Sequence, residues 1–170
     1  GQFDDEFYID DPLVEVSVFT SNGDDTVIVR AITYVTMVET EAGDDVIRVN
    51  YDENGDQTFE NGIGNELYLH GRAGTDSYFV GLAGDGSARI YVDDISPEDD
   101  PGVDSLYIYG TNQNDLFMIR ANMVASVESD AEGTPLENGQ VERVNYNETI
   151  NGNIVIFGRE GDDTFVFDDT

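Results

Sequence analysis

A Gly, one or two Asp and then alternating apolar residues recur at a fixed interval along this chain, and that recurrence limits what it can fold into. "DEFYI" puts Asp5 before Phe7 and Ile9. "DTVIV" puts Asp25 before Val27 and Val29, "DVIRV" puts Asp45 before Ile47 and Val49, and "NELYL" puts Asn65 before Leu67 and Leu69. Each step is twenty residues. The phase blurs near Asp85, returns at Asp104 in "DSLYI", weakens around residues 124 and 144, and is clear again at Asp163 in "DTFVF". The apolar residues alternate with period two and are rich in Val, Ile, Phe and Tyr, which predicts strands. No segment carries a sustained helical stripe with a cap; "NMVASVESDAEG" has neither.

A longer phrase joins two such strands: "LYLHGRAGTDSYFV" from Leu67, "LYIYGTNQNDLFMI" from Leu106 and "IVIFGREGDDTFVF" from Ile154. In each, a Gly (Gly71, Gly110, Gly158) stands five residues before an Asp (Asp76, Asp115, Asp163). The phrase reads as strand, tight turn, strand. About twenty residues with two strands and two turns is the size of one coil of a solenoid, so the expected fold is all-β, a parallel β-solenoid (β-roll or β-helix) with coils of about 20 residues. Residues 1–170 would form a single such domain, one segment of a longer repeat array.

Stacked coils would bring in-phase Asp residues to about 4.8 Å from one another. Two charges at that spacing repel by about 3 kcal/mol at an effective dielectric of 20. The chain carries 37 acidic residues against 7 basic ones and a formal net charge of −30, so the repulsion must be offset by bound cations or by high salt. Calcium takes six to eight oxygens with tolerant geometry, and Gly-rich turns supply carbonyls beside the Asp. The pattern is similar to the hemolysin-type RTX calcium-binding repeat, G-G-x-G-x-D-x-U-x, where U is a large apolar residue. "TSNGDDTVI" matches it through Gly23, Asp25 and Val27, and "TEAGDDVIR" through Gly43, Asp45 and Ile47. "GRAGTDSYF" keeps Gly71, Gly74, Asp76 and Tyr78, and "GREGDDTFV" keeps Gly158, Gly161, Asp163 and Phe165. "GTNQNDLFM" keeps Gly110, Asp115 and Phe117, with Gln113 at the last Gly position. The resemblance implies several calcium ions, secretion to the extracellular space or cell surface, and a structural role in a surface, adhesin, matrix or filament protein. The expected metal ligands are Gly23, Asp24, Asp25, Gly43, Asp44, Asp45, Asn65, Gly74, Asp76, Asp104, Asp115, Gly161, Asp162 and Asp163.

Other features read more plainly. "DENGD", Asp52 to Asp56, opens like an EF-hand loop but has Gln57 and Ile63 where Gly and Glu are needed, and reads as a solvated turn. "DDISPEDDPGVD", Asp93 to Asp104, reads as an acidic loop. His70 is the single His and no Cys is present, so no transition-metal site of ordinary type is expected. The charge disfavours nucleic acid, and no apolar run is long enough to insert in a membrane. No separate acid–base pair stands outside the repeats, and the chain is not expected to be an enzyme. The alternative is a carbohydrate-active or carbohydrate-binding module, with exposed Tyr in "NELYLHG", "DSYFVG" and "DSLYIYG" facing sugar. The beginning, "DDEFYIDDP", resembles the end, "DDTFVFDDT", which points to end-to-end self-association or tandem copies; a polysaccharide or a cell surface is the other possible partner.

Overall fold

The computed structural model describes residues 3–95 and 101–168. The alternating segments form fourteen strands among the described residues, arranged in two sheets. One sheet contains, in spatial order, β1 (Glu6–Asp10), β3 (Thr26–Ala31), β5 (Val46–Val49), β7 (Ser77–Gly81), β9 (Ser105–Tyr109) and β13 (Ile154–Phe157), all paired in parallel. The other runs β14 (Thr164–Phe167), β10 (Leu116–Arg120), β11 (Met123–Val127), β12 (Val141–Tyr146), β8 (Arg89–Val92), β6 (Glu66–His70), β4 (Thr36–Glu39) and β2 (Val16–Phe19). From β1 to β10 successive strands alternate between the sheets.

The all-β expectation agrees with this architecture, but the single parallel β-solenoid with twenty-residue coils does not. The second sheet is mixed: β11 pairs antiparallel with both β10 and β12. The cause is local. Two residues separate β10 from β11, room only for a tight reversal, and the β11–β12 hairpin then inserts between β10 and β8. The strand in "NMVASVESDAEG" is this inserted β11, and it is where the twenty-residue phase fades. The interval is also not constant. Equivalent positions lie 20 residues apart between β1, β3 and β5, then 31 between β5 and β7, and 28 between β7 and β9. The first long interval contains the turn at Asp52–Asp56, whose Asp52 carboxylate accepts the N–H groups of Asn54 and Asp56.

Period-two alternation sends one face of each sheet into a shared core. Val27, Val29, Ile47, Val49, Tyr78, Val80, Leu106 and Ile108 meet Val38, Leu67, Leu69, Ile90, Val92, Phe117 and Val144. In-register pairing also aligns like with like along the sheets. Phe79 stacks on Tyr107 at 4.9 Å, Tyr109 on Phe157 at 4.7 Å, and Tyr68 on Tyr91 at 4.8 Å, near the strand spacing itself.

Candidate metal centre

The Asp at each strand entrance of the parallel sheet belongs to a hydrogen-bonded ladder. The Asp5 N–H donates to Asp25 Oδ1 at 2.7 Å, and the Asp25 N–H to Asp45 Oδ1 at 2.7 Å. The Asp45 N–H donates to Asp76 Oδ1 at 2.8 Å, the Asp76 N–H to Asp104 Oδ1 at 2.9 Å, and the Asp104 N–H to Asn151 Oδ1 at 2.9 Å. A carboxylate at this position thus satisfies a backbone donor that the strand cannot, one repeat away. An outer rail runs the other way: Asp24 N–H to Asp4 Oδ1, Asp44 N–H to Asp24 Oδ1, and Thr75 N–H to Asp44 Oδ1. Asp115 and Asp163 form a matching step at the other sheet, where the Asp115 N–H donates to Asp163 Oδ1 at 3.0 Å and the Asp162 N–H to Asn114 Oδ1 at 2.8 Å.

The glycines follow from the same stacking. Gly23, Gly43, Gly74 and Gly161 have φ of 132°, 148°, 126° and 118°. A Cβ on Gly43 would overlap the Gly23 carbonyl oxygen, and one on Gly74 would overlap that of Gly43. The Gly five residues before Asp is likewise steric: a Cβ on Gly71, Gly110 or Gly158 would overlap Oδ2 of Asp76, Asp115 or Asp163.

The ladder places carboxyl groups inside the protein. Asp25, Asp45, Asp76 and Asp104 are each only 1% exposed. The Oδ2 atoms of Asp25, Asp45 and Asp76 are buried with no hydrogen-bond partner. Burial pushes the Asp45 carboxyl up to about 6, and the nearby charges of Asp25 and Asp24 act in the same direction. It pushes Asp76 up to about 8, with Asp45, Asp94 and Asp104 adding their repulsion against the one N–H bond that lowers it.

At Asp76 the ladder meets a third carboxylate. Asp76, Asp94 and Asp104 are all buried, and one oxygen from each lies within 4.8 Å of the others. Asp76 comes from the turn before β7, Asp104 from the residue before β9, and Asp94 from just beyond β8, across the gap between the sheets. Asp94 is held there. Its Oδ1 accepts the Arg72 N–H at 2.5 Å and the Tyr78 hydroxyl at 3.3 Å, and its own N–H donates to Thr149 Oγ1 at 2.8 Å. The Tyr78 hydroxyl in turn accepts the Gly71 N–H at 2.6 Å. The guanidinium of Arg72 pairs with Glu39. The donor set is all oxygen, which suits a hard divalent cation such as calcium or magnesium and not zinc or copper.

Of the predicted ligands, the structure brings only Asp76 and Asp104 to this cluster. Asp25 and Asp45 lie further along the ladder, Asp24 and Asp44 on the outer rail, and Asp115, Asp162 and Asp163 at the second step. Gly23, Gly43, Gly74 and Gly161 make the turns. Asn65 leaves the column: it precedes β6 in the other sheet and donates to the Thr33 carbonyl at 3.1 Å, while Asp76 takes the place that the twenty-residue step assigns to it. Sequence reasoning missed Asp94, which lies in the stretch read as an acidic loop and outside the phase. It also missed Glu142, 1% exposed, whose Oε2 accepts the Gly84 N–H at 2.7 Å. Burial, with the charges of Asp85 and Asp115, pushes Glu142 up to about 7 against the N–H bonds of Gly84 and Ala83. Its signal was readable: in "VERV" it alternates onto the same face as the inward Val144. His70 serves the fold, with Nδ1 at 2.9 Å from the Asp93 carbonyl oxygen.

Comparison of the chain with protein-family models, with curated proteins and with solved structures finds no match.

Proposed function

We propose that this chain is a calcium-stabilised structural segment, of the kind that builds extracellular surface, adhesin or matrix proteins. The observation that carries the reading is the cluster of Asp76, Asp94 and Asp104, three buried carboxylates that each bring an oxygen within 4.8 Å of the others. An ion between them would turn mutual repulsion into a bond between the two sheets, since Asp94 follows β8 of one and Asp76 and Asp104 precede β7 and β9 of the other. The resemblance to RTX repeats supports calcium over magnesium and supports a secreted setting. The proposal places one ion at this cluster, because here three buried carboxylates from the two sheets converge. The edge strands of the sheets, β1 and β2 at one end and β13 and β14 at the other, fit further repeats stacking there, in one chain or between copies.

The test is urea unfolding in EDTA and in calcium, with magnesium and sodium chloride as controls. Binding to the native state alone stabilises by about 2.7 kcal/mol at a hundredfold excess over Kd, so calcium should raise the midpoint in a saturable way. Asp94→Asn should remove the rise. Identical curves in EDTA and calcium, or a rise that sodium chloride reproduces at equal ionic strength, would refute the site.

A further inference from the structure

We propose a second binding site, for an acidic saccharide, on the outer face of the mixed sheet around Arg89 and Arg143. These two residues are direct partners in the parallel pairing of β8 with β12, so their side chains leave the same face about 4.8 Å apart at the backbone. Like charges opposite one another in a sheet are destabilising. The chain has only 7 Arg and 37 acids with which to separate them, yet it sets two of the seven side by side. Glu66 stands next in the row and pairs with Arg89 at 3.3 Å, while also accepting the Tyr68 hydroxyl at 2.9 Å. Among the described residues Arg143 has no ion pair. The result is a local positive patch on a protein whose overall charge is −30.

The patch is a shallow, open depression. Arg89 and Arg143 line a cleft of about 390 Å³ together with Gly64, Asn65, Ser87 and Gln140. Two guanidinium groups can chelate one oxyanion through paired N–H donors, and the amide and hydroxyl side chains around them suit sugar hydroxyls. The strands beneath are interior to the sheet, with β8 between β6 and β12, and β12 between β8 and β11. Their backbone groups are already paired, so an extended peptide cannot add as a strand, and recognition must come from side chains. The neighbouring Tyr68 and Tyr91 stack on each other at an interplanar angle of 10° and cover one another's faces. Each ring therefore has one face occupied by the other, and the paired guanidinium groups make the carboxylate or sulfate of the sugar the group that is read.

The experiment is calorimetric titration of the chain in calcium buffer with tetragalacturonate, with a sulfated tetrasaccharide, with cellotetraose and with tetraglutamate. The two acidic saccharides distinguish carboxylate from sulfate as the preferred group. At least one should bind saturably, cellotetraose should not, and tetraglutamate should bind more weakly. Arg143→Gln and Arg89→Gln should each weaken binding on the order of tenfold, the loss expected for a charge-assisted hydrogen bond. Both side chains are exposed, so thermal unfolding of the variants should stay close to that of the parent. Saccharide binding that survives Arg143→Gln would assign it to calcium bridging between carboxylates and overturn the site. Equal binding of tetraglutamate would overturn the saccharide assignment, and no binding of either acidic saccharide would overturn the site itself. The calcium dependence of stability is a separate measurement and its outcome does not bear on these results.

Discussion

In EDTA, raising the pH from 5 to 8 should destabilise this protein, the opposite of what surface carboxylates paired with cations would do. Burial holds the Asp76 carboxyl at about 8, against an ordinary value of 3.8. Across that window the native state keeps a proton at Asp76 and the unfolded state does not. A group whose folded pKa is raised contributes stability that is fully present below the unfolded value and is lost as pH rises through the folded one. The slope is about 1.4 kcal/mol per pH unit for one proton, so the loss between pH 5 and pH 8 is about 4 kcal/mol from Asp76 alone. Asp45, raised to about 6, and Glu142, raised to about 7, act with the same sign over the lower part of the window. A loss of that size is a large part of the total stability of an ordinary domain. Urea unfolding at unit pH steps measures it. Asp76→Asn isolates the residue, because the amide oxygen can still accept the Asp45 N–H but no longer titrates. The variant should lose the Asp76 share of the slope, which separates it from general repulsion among the surface acids. Saturating calcium should flatten the parent curve, since an ion at the cluster favours ionised Asp76 and its binding releases the proton. A stability that is level or rising from pH 5 to 8 in EDTA, or an Asp76→Asn slope equal to the parent's, would refute the reasoning.

Glu142→Gln should be close to neutral at pH 5 and stabilising by up to about 3 kcal/mol at pH 8, where the parent must carry a buried charge; urea unfolding at the two pH values checks it. Gly43→Ala should destabilise by about 3 kcal/mol or more, because φ is 148° and the added Cβ would overlap the Gly23 carbonyl oxygen. Thermal unfolding measures that cost, and a variant as stable as the parent would remove the steric account of the glycine column.

Much of this fold is legible in the residues because strand chemistry is local. Alternation in "DTVIVRA" and "DVIRV" marks β3 and β5, and Val27, Val29, Ile47 and Val49 face the core as period two requires. The positive-φ turns at Gly23 and Gly43 and the Gly71–Asp76 spacing are legible for the same reason: each is a constraint within a few residues. The buried Asp column is legible as a column, but its chemistry is not. Spacing places Asp25 and Asp45 near one another, yet only the observed register shows each carboxylate accepting a backbone N–H from the neighbouring repeat.

Long-range pairing escapes local pattern. A twenty-residue step carries the column to Asn65, but the Asp52 turn adds chain between repeats and Asp76 arrives instead. The tight reversal after Arg120 sets β11 antiparallel to β10, β12 then returns antiparallel to β11, and this makes the second sheet mixed. Asp94 lies beyond the end of one strand and meets Asp76 and Asp104 only because the two sheets close on each other. Arg89 and Arg143 stand 54 residues apart and become neighbours only through the pairing of β8 with β12. The sequence by itself determined which segments are strands, which face of each is apolar, where glycine is needed, and that a large negative charge must be managed. Tertiary structure decided which charges meet, because side-chain contacts across sheets depend on register and chain reversal, and neither is written in any short stretch of residues.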